Sequence, residues 1–368
     1  MEYDDWTAGA GPLRGIGPRE GLPPGLVWPS RRGEAGGPTQ WQTRSGAFRS
    51  SGGGNWVPTE VPSSAGQRTV EAAARLPAHG AVTGWAALRW AGARWFDGIG
   101  SQGAPIPVTL ALGTRHTLRP GGQVRVSQEH VPPGDIHRLR GLRVTSSCWS
   151  VAFEMRKAST VEAAVVAFEM AAYDDLVSVA ELTSFTRSAL WIRQGVPRVR
   201  EILTLLEENS WSPMEPLMRL AWMRSGAPRP RANAPVFDLS GRFVGTPDLL
   251  DPIAGVYGMY DGGLHLVGEV RHADVAKEAA YRRLGLEGAT MMSGDLNDSS
   301  AFEVRLGEAY ARAEPTACGH PPVAARAAWL VGADRDRGAA PRAVGVRPRT
   351  TAAVSPGCLT LPLSSKCI

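Results

Sequence analysis

The sequence predicts an α/β fold, and three observations carry this prediction. Segments with the period of a helix alternate with short apolar runs of strand length. The composition, 43% hydrophobic and 20% charged residues, is typical of a globular protein. The 368 residues can bury more than one core, while much of the excess of glycine and proline lies near the two ends. We therefore expect a folded middle with loose termini.

Residues 1–66 are expected to form a loosely structured N-terminal segment. They are rich in Gly, Pro, Ser and Arg, and Gly52-Gly53-Gly54 interrupts them. A segment of this composition buries little apolar surface, so no large core is expected there. One stretch, Gly54 to Pro58, is typical of a short strand from a small N-terminal module.

Residues 67–209 predict an α/β domain of mixed helices and strands. Two capping-box sequences, Ser159 to Glu162 and Ser178 to Glu181, mark helix starts, because a hydroxyl and a carboxylate there satisfy exposed backbone N–H groups. Helical periodicity predicts three further helices, at 68–76, 82–90 and 196–208. Short apolar runs predict strands at 106–112, 124–128 and 142–145.

Residues 210–313 predict a second domain. Its first helix, 213–224, repeats apolar residues at helical spacing, and 237–244 is typical of a hairpin around Ser240-Gly241. An apolar run leads to Asp248, and a second run from Ile253 to Tyr260 leads to Asp261. The domain then continues with a predicted helix at 273–284, a strand at 289–292 and a helix from Ser300.

The two apolar runs of this second domain suggest a chemistry. Asp248 follows the first run, Asp261 follows the second, and His265 stands four residues further on. Two strands that each end in a hard oxygen ligand can hold a divalent cation between their ends. This layout is typical of a metal-dependent phosphodiesterase.

Several motifs of this domain occur in an order that resembles the PD-(D/E)xK nuclease superfamily. The similarity is greatest to the very-short-patch-repair-like endonuclease domain common in actinobacterial proteins. The matching residues are Ser212-Pro213-Met214-Glu215, Thr246-Pro247-Asp248-Leu249, Met259-Tyr260-Asp261-Gly262, His265, Arg271, Asp274, Leu284 and Gly285. The resemblance implies a restriction-endonuclease-like fold, which is a mixed central sheet flanked by helices.

The same resemblance implies the roles of individual residues. It makes the protein a Mg²⁺-dependent DNA endonuclease, if it is an enzyme, with DNA as its partner. The implied catalytic residues are Glu215, Asp248, Asp261 and His265, with Asp248 and Asp261 as the metal ligands. Where the family strand carries Glu, this chain has Met259, and a thioether is a soft ligand that does not hold Mg²⁺. We therefore expect a nuclease fold with low or no nuclease activity.

Each candidate also has an ordinary structural alternative. Glu215 stands three residues after Ser212, with proline between them, and so completes a capping box. Asp248 and Asp261 both suit turns, the second because two glycines follow it. A lone histidine such as His265 often has a structural role. The sequence by itself leaves these alternatives open.

The predicted first domain resembles the antitoxins of type IV toxin–antitoxin systems of the abortive-infection class. The matching residues are Ala81 to Leu88, Pro107 to Leu110 and Gly141 to Ser146. The family continues with an Arg-Thr-Ala-x-Asp motif, whereas this chain has Trp149 to Glu154. The resemblance implies an alternative function, a non-enzymatic regulator or antitoxin that binds promoter DNA or a cognate toxin.

The charge balance permits nucleic-acid binding. The net charge is +5 and the isoelectric point is about 9.3, and Arg271 and Lys277 are candidates for phosphate contacts, although solvated helix charges explain them equally well. Only three of the 40 basic residues are lysine, which GC-rich codon usage also explains. The N-terminus lacks a signal-peptide core and no apolar run approaches membrane length, so a cytoplasmic location is expected.

The last segment, residues 314–368, shows neither helical nor strand periodicity. Arginine, alanine, proline and glycine dominate it. Two explanations remain open, a disordered tail without a packed core or a shifted reading frame near the end of the gene.

Overall fold

The computed structural model describes residues 21–100, 102–114, 116, 118–190, 193–238, 240–262 and 277–313. Across these described ranges the fold is mixed α/β, with several sheets and ten helices, and this confirms the predicted α/β class. The chain divides into two compact units, with the boundary between Thr204 and Leu205. Within the described ranges, no helix is long and apolar enough to cross a membrane. The predictions for His265, Arg271 and the segment 314–368 lie outside the described residues.

Unit 1 begins with a three-stranded antiparallel sheet of order β1-β3-β2. Its elements are β1 (Ser30–Arg31), α1 (Gln40–Arg44), β2 (Phe48–Gly52) and β3 (Asn55–Pro58). The expectation of a strand near residues 54–58 is confirmed. The prediction that residues 1–66 are loosely structured is wrong for this part of the segment.

Glycines and long-range polar contacts order the N-terminal sheet. Gly52, Gly53 and Gly54 all have positive φ, which lets the chain reverse tightly between β2 and β3. A small cluster of Val27, Val57 and Val61 is buried beside the sheet. The side chain of Gln67 accepts from the backbone N–H of Val27 and donates to its carbonyl, both at 2.9 Å. These contacts come from residues far apart in sequence, so composition alone missed them.

A five-stranded mixed sheet of order β6-β5-β4-β8-β7 follows in unit 1. Its strands are β4 (Ala81–Thr83), β5 (Val108–Ala111), β6 (Val124–Ser127), β7 (Ile136–Leu139) and β8 (Leu142–Thr145). A short 3₁₀ turn, Pro133–Asp135, precedes β7. The helices of the unit are α2 (Ala65–Ala73), α3 (Trp85–Ala91), α4 (Ser147–Lys157), α5 (Val161–Tyr173), α6 (Val179–Ser188) and α7 (Val196–Ile202).

The prediction of one continuous helix over residues 82–90 is wrong. Val82 belongs to β4, where it pairs with Leu110 and Val144, and the helix begins only at Trp85. Gly84 separates the two elements with a φ of +66° and a ψ of −145°, a backbone conformation that residues with a Cβ rarely adopt. A second correction is that α7 ends at Ile202 and continues as a 3₁₀ turn, Leu203–Leu205, and not as a helix to residue 208.

Unit 2 contains a four-stranded sheet of order β14-β13-β12-β9 and a separate hairpin. Its helices are α8 (Met214–Arg224), α9 (residues 277–283 are helical) and α10 (Ser300–Ala313), with a 3₁₀ turn at Ser293–Leu296. The sheet strands are β9 (Arg231–Ala232), β12 (Leu249–Asp251), β13 (Val256–Asp261) and β14 (Glu287–Met292). The hairpin, β10 (Val236–Phe237) and β11 (Phe243–Gly245), confirms the predicted turn around Ser240-Gly241.

Alternate residues of a strand point to opposite faces of a sheet, and both faces of the unit 2 sheet carry apolar residues that helices cover. Leu249 and Val256 pack with Trp222 of α8 and Phe302 of α10. On the other face, Tyr281 of α9 packs with Leu250 and with Tyr257, whose ring centroid lies 4.8 Å from its own. The sheet is therefore held between α8 and α10 on one side and α9 on the other.

Candidate functional site

The candidate site lies where β12 begins and β13 ends. These strands are antiparallel, with Leu249 opposite Gly258, so the start of one and the end of the other meet at one edge of the sheet. The predicted strand leading to Asp248 corresponds to β11, which pairs with β10 and not with β13, so the predicted pairing is wrong. The neighbour of β13 is instead β12, which follows Asp248. Asp248 immediately precedes β12 and does not end a strand. It still comes beside the end of β13, because the two strands run in opposite directions.

Two backbone hydrogen bonds fix Asp248 at this edge. Its Oδ2 accepts from the backbone N–H of Tyr260 at 2.7 Å, and its carbonyl accepts from the backbone N–H of Asn233 at 2.9 Å. Burial raises the pKa of the Asp248 carboxyl, while the Tyr260 N–H and the positive charge of Lys277 oppose that rise. Asp248 is thus a buried carboxyl group fixed by hydrogen bonds, and not only a turn residue.

Glu215 reaches the same edge from the first turn of α8. The predicted capping box is wrong, because the helix begins at Met214 with Pro213 at the N-cap and no side-chain cap. The carboxylate instead turns back, and its Oε2 accepts from the backbone N–H of Trp211 at 2.7 Å. Ser212 adds a hydrogen bond to the same carboxylate. Because Pro213 at the N-cap has no side chain that can accept a hydrogen bond, Glu215 is the residue that binds the backbone N–H of Trp211 before the helix.

The two carboxyl groups interact electrostatically. Glu215 is only 5% exposed, and burial raises its pKa to about 7, with the negative charge of Asp248 as the second cause. The hydrogen bonds from Trp211, Asn233 and Ser212 oppose this rise without cancelling it. An acid whose pKa is raised by burial and by a neighbouring carboxylate is a common feature of functional sites.

Asn233 links the two acids, and sequence reasoning missed it. Its Nδ2 donates to Oε2 of Glu215 at 2.5 Å and to the carbonyl of Asn209 at 2.7 Å, while its backbone N–H bonds Asp248. Its φ is +48°, a left-handed conformation in which Asn is enriched. Asn before Ala-Pro is a faint sequence signal for such a bend, and nothing local indicates its partners.

Lys277 and Tyr281 approach the pair from α9. The Lys277 Nζ lies 3.4 Å from the carbonyl of Thr246 and 6.0 Å from the centre of the Tyr281 ring. Its charge lowers the proton affinity of Asp248, so this lysine is more than a solvated helix charge. The hydroxyl of Tyr281 is buried without a hydrogen-bond partner in the described part of the chain, and burial raises its pKa.

Met259 lies in β13, on the face of the sheet that α9 covers. It packs against the cluster of Leu250, Tyr257 and Tyr281. Continuing the strand register by one residue from the pair of Leu249 and Gly258 places Met259 opposite Asp248. The position where the resemblance expects a carboxylate is therefore beside Asp248 and carries an apolar side chain.

The remaining acids of the region have different surroundings. Asp261 ends β13 opposite Met292 and is exposed. Among the described residues, no group of three or more His, Cys, Asp or Glu side chains is placed to hold a metal ion. Asp251 stabilises the turn between β12 and β13, since its Oδ1 accepts from the backbone N–H groups of Ile253 and Ala254. His265 and Arg271 belong to the undescribed segment.

The donor set matches the minimum for Mg²⁺. Such sites use one or two carboxylates together with water and substrate phosphates. Glu215 and Asp248 supply two carboxylates, and one oxygen of each already accepts a backbone N–H. The two like charges raise the proton affinity of Glu215, so a cation beside them would relieve their repulsion. The site fits a loosely held cation better than a tightly bound one.

Searches for similar proteins returned no match for this chain, neither a family model nor a curated protein nor a solved structure. Its function is therefore inferred from its own residues.

Proposed function

We propose that unit 2 is a restriction-endonuclease-like domain that binds DNA and has low or no Mg²⁺-dependent nuclease activity. One observation supports this most strongly. Glu215 and Asp248 meet at the edge of a mixed four-stranded sheet, in a unit ordered as α8, β12, β13, α9, β14 and α10. The parallel pairing of β13 with β14 across α9 agrees with the mixed sheet that the sequence resemblance implies.

The residues of this edge have distinct proposed roles. Asp248 and Glu215 would hold Mg²⁺, with Glu215 in place of the expected ligand Asp261. When bound, Mg²⁺ polarises the phosphate and lowers the pKa of a bound water. Lys277, which faces Asp248, would contact the DNA phosphate as a point charge. Asn233 orients Glu215 and fixes the backbone of Asp248, so it is a positioning residue.

Met259 is the reason for the low expected activity. It contributes a thioether and packs in an apolar cluster beside Asp248, where a carboxylate would complete the set of hard ligands. DNA binding, which uses Lys277, is therefore separate from cleavage, which needs a firmly held metal ion.

For unit 1 we propose the antitoxin-like architecture. The residues that carry that resemblance fall mainly on the start of α3 and on β4, β5 and β8. These three strands lie side by side in the five-stranded sheet, with β4 between the other two. This arrangement supports a common fold for the matching pieces. Binding of a cognate toxin is a further proposal that nothing in the geometry of the unit favours specifically.

Gel-shift titration of the full-length protein with duplex DNA at low salt tests binding. We expect Lys277→Gln to weaken binding and to reduce the salt dependence by about one released counterion. The matched control is Arg283→Gln, which removes the same charge from an exposed position on the same helix. No binding by the folded protein, or equal losses in both variants, would contradict the proposed DNA site.

Plasmid nicking with Mg²⁺ and with a chelator tests cleavage in the same preparations. We expect little nicking by the wild type, and any Mg²⁺-dependent product should disappear in Asp248→Ala, since this change removes the principal ligand. Nicking that survives Asp248→Ala would come from another site or a contaminant, and would remove Asp248 from the proposed machinery.

A further inference from the structure

A second polar site lies in unit 1, in a cavity of about 910 Å³ between the N-terminal sheet and the segment that follows α2. Its polar lining consists of Arg31, Asn55, Arg75, His79, His116 and Arg119. No acidic side chain stands among the described residues of this lining. Three arginines thus share a concave surface whose described lining holds no carboxylate, although the nearby Glu34 carboxylate accepts from the backbone N–H of Arg31 at 2.9 Å.

Arg75 is the most enclosed of these cations. Its Nη2 donates to the carbonyl of Arg119 at 2.9 Å, whereas its Nε is buried and finds no acceptor in the described part of unit 1. Partial burial lowers the pKa of Arg75, yet its guanidinium remains charged at neutral pH. A partly buried positive charge with an unused buried donor is stabilised by an anion.

Asn55 presents a second unused donor to the same space. It is only 4% exposed, and its Oδ1 accepts from Nε of Arg31 at 3.4 Å. Its Nδ2 is buried and has no partner among the residues described. A Cβ at Gly53 would lie 3.5 Å from Nε of Arg75 and 3.7 Å from this Nδ2. Both unused donors therefore lie side by side against the glycine turn.

The donor set selects the class of anion. His116 adds a third buried nitrogen, Nδ1, without a partner among the described residues. The arginine fork pairs with carboxylates and phosphates alike, but a phosphate offers more oxygens, in more directions, to donors that come from several side chains. The cavity is within the usual size range for small-molecule sites, about 300 to 1,000 Å³.

We infer that this cavity binds a phosphoryl chain, such as the pyrophosphate group of a nucleotide. The ligand oxygens would accept from Arg75, Asn55 and the two outer arginines, Arg31 and Arg119. Both outer arginines are exposed, so they can close on the anion without disturbing the core. The site does not use Glu215, Asp248 or Mg²⁺, and so stands independently of the proposed nuclease domain.

Isothermal titration of the full-length protein with pyrophosphate, at ionic strength matched with sodium chloride, tests the inference. We expect pyrophosphate to bind, and Arg31→Gln and Arg119→Gln each to weaken binding by about tenfold. Asn55→Asp keeps the acceptor for Arg31 but places a negative charge in the cavity, and should abolish binding. If Asn55→Asp does not fold, the two exposed arginine variants decide.

The source of the phosphoryl group is distinguished by two further titrations. Tighter binding of ATP than of a 5′-triphosphorylated oligonucleotide supports a free nucleotide, and the reverse order supports a strand end. The control variant is Arg138→Gln, an exposed arginine of β7 that does not line the cavity. Absence of binding by any probe, or an equal loss in Arg138→Gln, would overturn the inference.

Discussion

The side-chain amide of Asn233 donates a 2.5 Å hydrogen bond to the carboxylate of Glu215, while the backbone N–H of the same residue donates to the carbonyl of Asp248. One residue thereby ties the first turn of α8 to the start of β12. Because Asn233 has positive φ, its backbone and side chain reach both acids at once. The geometry of the candidate site depends on this bend.

Replacing Asn233 should separate its backbone role from its side-chain role. Asn233→Gly keeps the left-handed conformation but loses the hydrogen bond to buried Glu215, and we expect a destabilisation of about 1–3 kcal/mol. Asn233→Ala adds the strain of positive φ and should cost roughly 1–2 kcal/mol more. Urea denaturation of both variants measures the difference. Equal stability of the Gly variant and the wild type would mean that the hydrogen bond to Glu215 contributes nothing.

The raised pKa of Glu215 predicts a pH dependence of stability. Its folded-state pKa of about 7 lies above the ordinary value of 4.5, so the folded state binds the proton more tightly. The wild type should therefore lose stability as the pH rises from 4.5 to about 7. Glu215→Gln has no proton to lose, so its free energy of unfolding should not fall in this way. The difference in unfolding free energy between the variant and the wild type should therefore shift in favour of the variant by up to roughly 3 kcal/mol between acid pH and a pH above 7.

Urea denaturation across the range from about pH 5 to 8 checks this prediction. The matched control is Asp238→Asn, because hydrogen bonds from the Ser240 hydroxyl and the Arg242 N–H lower the pKa of Asp238 to about 2. Asp238 stays ionised throughout that range, so its variant should follow a profile parallel to that of the wild type. Parallel profiles for Glu215→Gln and the wild type would show that Glu215 does not titrate near pH 7.

Restoring a carboxylate at position 259 should raise Mg²⁺-dependent nicking. Met259 lies opposite Asp248, so Met259→Glu places a second hard oxygen beside it. Adding Asp248→Ala to this variant should abolish the gain, because the principal ligand is then lost. Initial rates of plasmid nicking, with Mg²⁺ and with a chelator, provide the measurement.

The control for this change is Met259→Gln, which has nearly the same shape as Met259→Glu but no charge. It should fold without a gain in nicking. An equal gain in both variants would point to a looser structure and not to a metal ligand. Failure of folded Met259→Glu to cleave would show that one added carboxylate does not restore the site. Strong cleavage by the wild type would show that the site needs no added carboxylate.

A stability prediction concerns the glycine between β4 and α3. At Gly84 a Cβ would overlap Oε1 of Glu154, which accepts the Trp85 N–H at 2.8 Å, and the φ of +66° adds strain. We expect Gly84→Ala to destabilise the protein by about 3 kcal/mol or more. Gly103→Ala is the control, with a φ of +72° but no atom within 4 Å of the new Cβ, and should cost roughly 1–2 kcal/mol. Thermal denaturation compares the two, and equal costs would contradict the predicted overlap.

Several elements of the fold were predictable because their causes are local. The apolar runs of β5, β6 and β8, the periodicity of α2 and α8, and the Ser240-Gly241 turn all follow from neighbours in sequence. The capping box at Ser178 and Glu181 forms as expected. The sequence pattern predicts a helix at Val82, because the period of so short a segment is ambiguous, but Val82 pairs with Leu110 and Val144 in the sheet.

The candidate site was only partly predictable, because its residues meet through tertiary contacts. The sequence marked Glu215 and Asp248 as acids of interest, but not that Asn233 joins them or that Lys277 faces Asp248. It grouped Asp261 with them, whereas the structure leaves that side chain exposed at the last residue of β13.

The sequence by itself determined the α/β class, most of the strands and helices, and the presence of Met where the resemblance expects a carboxylate. Each of these depends on side-chain period or on residue type, which the chain carries locally. The tertiary structure decided which acids share a buried environment, since the pKa of Glu215 depends on burial and on a charge that stands 33 positions away in sequence. It also decided the basic cavity, because Arg31, Arg75 and Arg119 converge only once the N-terminal sheet packs beside the segment after α2.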